Sequence, residues 1–296
     1  MAEAAAEEPS RPRWLALAAL LGGACVIGMA AILVRMSDAG PSATGFWRLI
    51  FAMPLLALMT WRTAGSIGKP PKMALWVGLF FALDLGFWHY GIQYTSVANA
   101  TVLTNLTPVV VTAFAWIFLR QKPRALFLVA VAAAVGGASL MAYAKGGAAL
   151  RNQPLGDALS VATALWYALY FLTMAEGRKT EAASRMMFWA GVAGAPLLLA
   201  AALLLGEPLT PATGVGWAAC AALGLMHVAG QGSIAWAMGR LPTSTASVVV
   251  LVQPVVAAWL GWLLFAEAIG PLQGLGAAMT LAGVVLAQWA SRKSAS

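Results

Sequence analysis

Charged residues are scarce in this chain. They make up 9% of its 296 residues, whereas soluble domains carry about 25%. Hydrophobic residues make up 61%, so a soluble domain of this composition would lack the polar surface that faces water. Cysteine and histidine are also scarce, with two of each, and their spacing indicates neither a disulfide framework nor a metal site. We therefore predict an integral membrane protein without a bound metal.

Long apolar runs fill most of the sequence. A transmembrane helix needs about 20 mostly apolar residues. The first run is too long for the apolar region of a signal peptide, so we interpret it as a retained span. The connections are short, and no soluble domain is expected between the spans. The ten predicted spans are 14–34, 43–61, 73–94, 97–119, 124–143, 155–174, 186–205, 214–238, 243–265 and 271–290.

Lysine and arginine are distributed unevenly between the two sides of these spans. With the N-terminus inside, fourteen basic residues fall on the cytoplasmic side and three on the outer side, while Arg48 lies inside a span. Basic loops face the cytoplasm. We predict cytoplasmic tails at 1–13 and 291–296 in a multi-pass protein of the inner (plasma) membrane. Topology thus explains the net charge of +8 better than nucleic-acid binding does.

The second half of the chain repeats the first half at an offset of 146 residues. The segment PVV at 108–110 aligns with PVV at 254–256. Each half holds five spans, an odd number, so the halves cross the membrane in opposite directions. We predict an all-α integral membrane protein with ten transmembrane helices in two inverted five-helix repeats, 14–145 and 155–290. Other aligned pairs are Gly78 with Gly224, Gly86 with Gly232, Trp116 with Trp262, and Gly137 with Gly283.

The sequence resembles the drug/metabolite transporter superfamily, and within it the EamA-type exporters. The features that carry the resemblance are the ten spans, the repeat, PVV in spans 4 and 9, and LGDALSVATALWYALYF in span 6. The resemblance implies export of amino acids or other small metabolites by alternating access. The sequence is also similar to the YddG type, which exports aromatic and other amino acids. Family members often carry a glutamate at the ends of spans 4 and 9. Glu267 keeps it, but Gln121 replaces it in the first half, which argues against a paired-carboxylate role.

Charged residues inside spans are candidates for substrate binding, because a charge at the membrane centre costs on the order of 3 kcal/mol or more. Asp84 lies in the middle of span 3. It serves either a substrate amine or a proton, or it is a structural partner of a donor such as His227. Arg48 lies about a turn into span 2. It binds either a substrate carboxylate or one of two acidic residues near that surface, Asp38 and Asp157.

The other candidate residues are aromatic or hydrogen-bonding side chains on shared helix faces. Gln231 lies one turn after His227, and Trp166 lies one turn before Tyr170. Helix packing without substrate contact is the alternative for each of them. We predict a hydrated cavity between spans 1–4 and 6–9, with spans 5 and 10 outside it. The candidate set is completed by Phe80, Trp88, His89, Thr101, Asn105, Thr107, Tyr167 and Gln253.

Four prolines occupy equivalent positions in the two halves: Pro54 corresponds to Pro196, and Pro108 corresponds to Pro254. A proline inside a helix removes a backbone donor, so Pro108 leaves the carbonyl of Thr104 without its helical partner. We assign all four prolines to kinks or gates. Spans 4 and 9 are then a paired, kinked gate whose first copy carries most of the polar lining.

Several functional classes lack support in the sequence. Nucleophiles, carboxylates and metal ligands are not clustered, so no catalytic residue is predicted. No glycine-rich phosphate loop is present, so no nucleotide or other cofactor is expected. The expected partners are the lipid bilayer and a small molecule, with an amino acid as first choice and drugs or other metabolites as the alternative. Nucleotide sugars are disfavoured. The chain acts as a monomer or as a homodimer through the small-residue faces of spans 5 and 10.

Overall fold

The computed structural model describes residues 13–94, 103–118, 120, 122–144, 153–265 and 270–292. Within these ranges the regular structure is helical, and no strand occurs in them. Six helices are long and apolar enough to cross a membrane: Arg13–Val34, Pro41–Ala64, Lys72–Gly91, Pro154–Gly177, Ala183–Leu204 and Gly214–Met238. Four shorter apolar helices complete the set: Thr107–Ile117, Ala125–Met141, Thr243–Ala257 and Pro271–Ala287. The prediction of ten apolar helices is confirmed.

Four of the ten spans are interrupted or irregular within the described residues, and in span 4 a turn at residues 105–106 precedes the main helix. Spans 1 and 9 are each divided in two, and span 8 contains a π-helical turn. In chain order the segments are Arg13–Gly28 and Ala30–Met36 (span 1), Pro41–Ala64 (span 2), Lys72–Tyr94 (span 3), Thr107–Ile117 (span 4), Ala125–Ala144 (span 5), Gln153–Gly177 (span 6), Ala183–Leu204 (span 7), Gly214–Met226, His227–Gln231 and Gly232–Met238 (span 8), Thr243–Val249 and Val252–Phe265 (span 9), and Pro271–Arg292 (span 10).

Spans 2 and 7 have similar ends. Gly65 follows span 2 with a φ of 69°, and Gly206 follows span 7 with a φ of 66°. Glycine adopts this left-handed conformation without the steric cost of a Cβ, which lets a helix end sharply. Both spans also contain a proline, Pro54 or Pro196, but the helix continues through each of them. These two prolines therefore do not break their spans.

The packing of the spans follows the two repeats. Span 3 packs on spans 6 and 7, and span 8 packs in the equivalent way on spans 1 and 2. Span 4 packs on span 6 as span 9 packs on span 1. Three further pairs, spans 2 and 7, 4 and 9, and 5 and 10, join equivalent helices of the two halves. This correspondence is what an inverted repeat produces, and it confirms the architecture of two five-helix halves.

Two contacts locate the pseudo-two-fold axis that relates the halves. From the third span of each half onward, residues 146 positions apart are equivalent, so an equivalent pair in contact must lie beside the axis. The rings of Phe81 and His227 are 5.1 Å apart, and the hydroxyl of Thr280 donates to the carbonyl of Ala134 at 3.5 Å. The axis therefore passes through the centre of the bundle at Phe81 and between spans 5 and 10 at Thr280.

Spans 5 and 10 approach each other closely because glycines lie at their crossing. A Cβ added to Gly137 would lie 2.5 Å from the Gly276 carbonyl oxygen, and one added to Gly283 would lie 2.7 Å from the Ala130 carbonyl oxygen. The two-fold axis exchanges these two contacts. The other main contacts of both spans are with spans 4 and 9. Spans 5 and 10 thus lie at the edge of the bundle, and their glycines at this crossing pack within the chain.

Candidate functional site

Two buried charged residues lie at the centre of the bundle. Arg48 lies two turns into span 2 and is 3% exposed, while Asp84 lies in the middle of span 3 and is 9% exposed. Their charges attract each other, but these two described side chains form no ion pair in direct contact. Buried charges in a membrane protein need partners, because isolated ones are strongly unfavourable. The guanidinium and the carboxylate therefore do not satisfy each other, and both can still form hydrogen bonds to another group.

This arrangement corrects the surface pairing that the sequence suggested between Arg48 and Asp38. Asp38 accepts hydrogen bonds from the backbone amides of Ala212 at 3.1 Å and Thr213 at 2.9 Å. The Thr213 side chain and these amides stabilise the carboxylate and lower the pKa of Asp38 below its usual value. Asp38 is thus bound to the connection between spans 7 and 8. The acidic residue whose charge acts on Arg48 is Asp84.

A group of aromatic rings lies beside Arg48. The guanidinium of Arg48 lies 5.7 Å from the ring centroid of Phe81, and that ring lies 5.0 Å from Tyr170 and 5.1 Å from His227. Tyr167 stacks on Tyr170 with centroids 5.7 Å apart and ring planes 3° apart. Ring faces attract cations and pack against apolar groups. The centre of the bundle therefore combines an aromatic surface with one positive and one negative group.

The π-helical turn of span 8 brings two buried polar residues, His227 and Gln231, toward these rings. The hydroxyl of Tyr167 lies beside the side-chain amides of Gln231 and Gln253. The hydroxyl of Tyr170 lies near Gln231 but outside hydrogen-bonding geometry. Helical turns of the π type are rare and occur frequently at functional sites. The irregular part of span 8 coincides with the polar centre of the bundle.

Many buried polar atoms in this region have no hydrogen-bond partner in the protein. An unsatisfied buried polar group costs about 1–3 kcal/mol, so folded proteins rarely keep several of them together. A polar ligand or ordered water would satisfy such a set. We call it the central group; it comprises Arg48 Nε, Asn105 Nδ2, Trp166 Nε1, Tyr170 Oη, His227 Nδ1, Gln231 Nε2 and Gln253 Nε2.

Spans 4 and 9 are both interrupted near the central group. Residues 105–106 form a turn before the helix that begins at Thr107, and residues 250–251 form the equivalent turn in span 9. Asn105 lies in the first turn. The hydroxyl of Thr107 donates to the carbonyl of Thr104 at 2.8 Å, which is the group that Pro108 leaves without a helical partner. Thr107 therefore stabilises the backbone at the break.

A second aromatic group joins spans 3 and 6 around Trp166, whose indole nitrogen belongs to the central group. The ring of Trp166 stacks on Phe80, with centroids 6.3 Å apart, and meets Phe87 edge-on at 5.9 Å. Phe80 in turn stacks on Trp76, which is half exposed on the outer surface of the bundle. Phe80 thus packs between helices, and Phe81 is the phenylalanine that lies at the centre. Phe81 is equivalent to His227 in the repeat, and this equivalence is the feature of the sequence that indicates a central position for Phe81.

Other candidates from the sequence lie elsewhere. The ring of His89 ties span 3 to the beginning of span 2, because its Nδ1 lies 2.8 Å from the carbonyl oxygen of Pro41. Trp88 lies beside that ring, with centroids 5.1 Å apart. Three residues lie outside the described part of the chain: Thr101, Gln121 and Glu267. Among the described residues, no three His, Cys, Asp or Glu side chains are grouped to hold a metal ion.

Equivalent tryptophans hold a connecting loop at each end of the bundle. Trp47 of span 2 donates to the carbonyl of Leu209 at 2.8 Å, and Trp189 of span 7 donates to the carbonyl of Ile67 at 3.4 Å. The two tryptophans are 142 residues apart in the sequence, and so are the two residues that accept their hydrogen bonds. Pro54 and Pro196 have the same spacing. We call the Trp47 contact the outer clasp and the Trp189 contact the inner clasp, after the sides that the basic loops predict for them.

The outer clasp is reinforced more strongly than the inner one. The carboxylate of Glu207 accepts the backbone N–H of Ala43 at 3.0 Å and the hydroxyl of Tyr90. At the inner clasp the guanidinium of Arg185 donates to the carbonyl of Lys69 at 2.9 Å. The two faces of the bundle are therefore closed by equivalent loops held with unequal numbers of hydrogen bonds among the described residues.

Known proteins share this architecture. The EamA-like transporter family matches residues 13–143 and 154–289, one segment in each half. An uncharacterized transporter of Archaeoglobus fulgidus is 26% identical over 274 residues, which cover 91% of this chain and 95% of that protein. Solute carrier family 35 member G1 of Mus musculus is 32% identical over 81 residues, which cover 27% of this chain and 22% of that protein.

A solved crystal structure has the same fold. It superposes with a TM-score of 0.75 at 18% identity and covers 95% of this chain and 99% of its own. At that identity the likeness shows the fold alone, whereas the family match extends over most of the chain. The chain therefore belongs to the EamA-like transporter family of the drug/metabolite transporter superfamily, and it is a multi-pass membrane transporter and not an enzyme.

Proposed function

We propose that this protein is a secondary transporter that exports amino acids, aromatic and other neutral ones, from the cytoplasm. The observation that carries the proposal is the central group beside Arg48 and Asp84. An amino acid has a carboxylate, an ammonium and a side chain in fixed proximity. The centre of the bundle has a guanidinium, a carboxylate and an aromatic surface with complementary chemistry.

The donors of the central group suit a carboxylate ligand. Arg48 Nε and the indole Nε1 of Trp166 can only donate hydrogen bonds, and both are buried without a protein acceptor. A carboxylate offers about four acceptor positions, and its hydrogen bonds to charged donors are roughly twice as strong as neutral ones. In this proposal Arg48 binds the substrate carboxylate, Asp84 binds the ammonium, and Tyr167 and Tyr170 pack against the substrate side chain.

The repeat and the clasps support alternating access as the mechanism. Inverted repeats place a fixed site between halves that rock against each other. The outer and inner clasps are equivalent contacts at opposite faces, so we expect one to loosen when the other tightens. The direction of export and the preference for aromatic substrates rest on the resemblance to exporters of the YddG type.

Phenylalanine and two of its fragments test the proposed site directly. The purified protein is placed in liposomes loaded with phenylalanine, and exchange of external radiolabelled phenylalanine is measured. Phenethylamine lacks the carboxylate, and 3-phenylpropionate lacks the ammonium. Because each lost charge-assisted hydrogen bond is worth about 1.5–3 kcal/mol, each fragment should compete roughly 10- to 150-fold less well than phenylalanine. Tryptophan, threonine and methionine extend the panel.

Two variants assign the charges to their ligand groups. Arg48→Gln should lose the discrimination against phenethylamine but keep that against 3-phenylpropionate, and Asp84→Asn should do the reverse. Arg62→Gln is the matched control, because Arg62 is an exposed arginine on the same span. Arg48→Lys keeps the positive charge, so it distinguishes loss of the charge from a general folding defect. If Arg48→Gln discriminates like the unmodified protein, Arg48 does not bind the carboxylate.

A second candidate, export of organic cations such as drugs, is favoured by one observation: a buried carboxylate lies beside aromatic rings. In that case phenethylamine would exchange better than phenylalanine, and Arg48 would serve only to balance Asp84. If no amino acid in the panel exchanges faster than in empty liposomes, the amino-acid proposal fails. Repeating the exchange with a pH difference shows whether transport is coupled to protons, and Asp84→Asn should abolish any such coupling.

A further inference from the structure

A half-open cavity of about 330 Å³ lies away from the central group. It is formed where spans 4, 5, 9 and 10 end together, on the face that the basic loops assign to the cytoplasm. Its polar lining comes from Lys122 and Arg124 in the connection between spans 4 and 5, and from Thr112, Ser244 and Thr245. None of its lining residues belongs to the central group. Its volume lies at the lower end of the range for small-molecule sites.

The described lining of this cavity carries a positive charge. None of the described residues that line it is acidic, and neither Lys122 nor Arg124 has an ion-pair partner in the described part of the chain. Arg120 adds a third cation to the same short connection. Lysine and arginine side chains bind phosphate groups through charge-assisted hydrogen bonds. The chemistry of the lining therefore matches a phosphate-bearing anion.

The surroundings of the cavity place it at the level of the membrane surface. Trp116, next to the lining residue Ala115, and Trp289, next to the lining residue Ala290, are both about half exposed. Tryptophan is enriched in membrane proteins at the interface between lipid and water. Basic pockets between transmembrane helices on the cytoplasmic side bind the headgroups of anionic lipids. We propose that this cavity binds the phosphate of an anionic phospholipid from the inner leaflet, whatever substrate the protein transports.

Lipid titration of the purified full-length protein tests the proposal. Phosphatidylglycerol, phosphatidylcholine or soluble glycerol phosphate is added to the protein in detergent, and the apparent Tm and the number of lipids retained in native mass spectrometry are measured. A ligand that binds the folded state raises the Tm. Phosphatidylglycerol should raise it and be retained, and phosphatidylcholine should do neither. An equal effect of glycerol phosphate would overturn the lipid as the ligand, and an equal effect of phosphatidylcholine would overturn the site.

Matched variants separate this cavity from the general basic surface. The double variant Lys122→Gln/Arg124→Gln should need about 30-fold more phosphatidylglycerol for the same rise in Tm. The double variant Lys69→Gln/Lys72→Gln removes the same charge from exposed positions on the same face and should resemble the unmodified protein. Ala115→Leu fills the cavity without changing its charge and should also weaken retention. Equal losses in both double variants, or full retention in Ala115→Leu, would contradict binding in the cavity.

Discussion

Replacing Gly137 by alanine tests the close crossing of spans 5 and 10. The new Cβ would lie 2.5 Å from the Gly276 carbonyl oxygen and 2.5 Å from the Thr280 backbone nitrogen. Both atoms belong to a helix backbone, so the helices must separate, and overpacking of this kind costs about 1–3 kcal/mol. The neighbouring residue supplies the control. A Cβ at Gly136 would lie 4.0 Å from the Met279 side chain, which is ordinary contact, and alanine is favoured over glycine inside a helix by about 0.5–1 kcal/mol.

The same substitution at adjacent residues should thus have effects of opposite sign. Thermal unfolding in detergent should show a lower apparent Tm for Gly137→Ala, by roughly 2–5 °C, and an unchanged or higher one for Gly136→Ala. Span 10 supplies a second pair: Gly283→Ala, the two-fold equivalent of Gly137→Ala, should behave like that variant, and Gly274→Ala, where a new Cβ would meet nothing within 4 Å, should behave like Gly136→Ala. Equal Tm values for the two members of each pair would show that the helix backbones are not in contact.

Two further predictions concern single hydrogen bonds. Trp47→Phe removes the 2.8 Å hydrogen bond of the outer clasp, which is worth about 1 kcal/mol. Amide hydrogen exchange in residues 205–213 should therefore become about fivefold faster. Trp189→Phe removes the longer 3.4 Å hydrogen bond of the inner clasp and should accelerate exchange in residues 65–71 less. An equal acceleration in both variants would contradict the unequal clasps. Thr107→Val leaves the Thr104 carbonyl unpaired and should lower stability by about 1–3 kcal/mol, while Thr107→Ser, which keeps the hydroxyl, should not; thermal unfolding compares them, and identical Tm values would show that the bond contributes nothing.

The helical architecture could be predicted from the sequence because bilayer thickness and repeat alignment constrain it strongly. Apolar runs of sufficient length identify spans, and aligned glycines and prolines identify the two halves. The breaks of spans 4 and 9 were foreseen at Pro108 and Pro254, since proline disrupts helical hydrogen bonding. Pro54 and Pro196 carried the same signal, yet their helices continue. A single proline does not show whether neighbouring helices will compensate for the lost bond.

The centre of the site was harder to predict, because it depends on distances between spans that one sequence does not contain. The sequence predicts that Arg48 lies near the outer surface, where Asp38, only ten residues away in the sequence, is a candidate ion-pair partner. Asp38 instead binds the amides of a loop more than 170 residues later. The π-helical turn at His227–Gln231 has no sequence signature of its own. Phe81 could have been identified, because its equivalent across the repeat is His227, and both lie beside the axis.

The two halves pack in equivalent ways but carry different charges. Arg48 aligns with Ala190 and Asp84 aligns with Gly230, so both central charges belong to the first half. A moving charge senses the membrane potential, at about 2.3 kcal/mol per elementary charge per 100 mV. In the alternating-access cycle proposed above, opposite charges carried by one half would move together, and their electrical work would cancel. The amino acid proposed as substrate is zwitterionic and would add no net charge. These two residues would then transfer no gating charge, and membrane voltage would not shift the balance between the two access states through them.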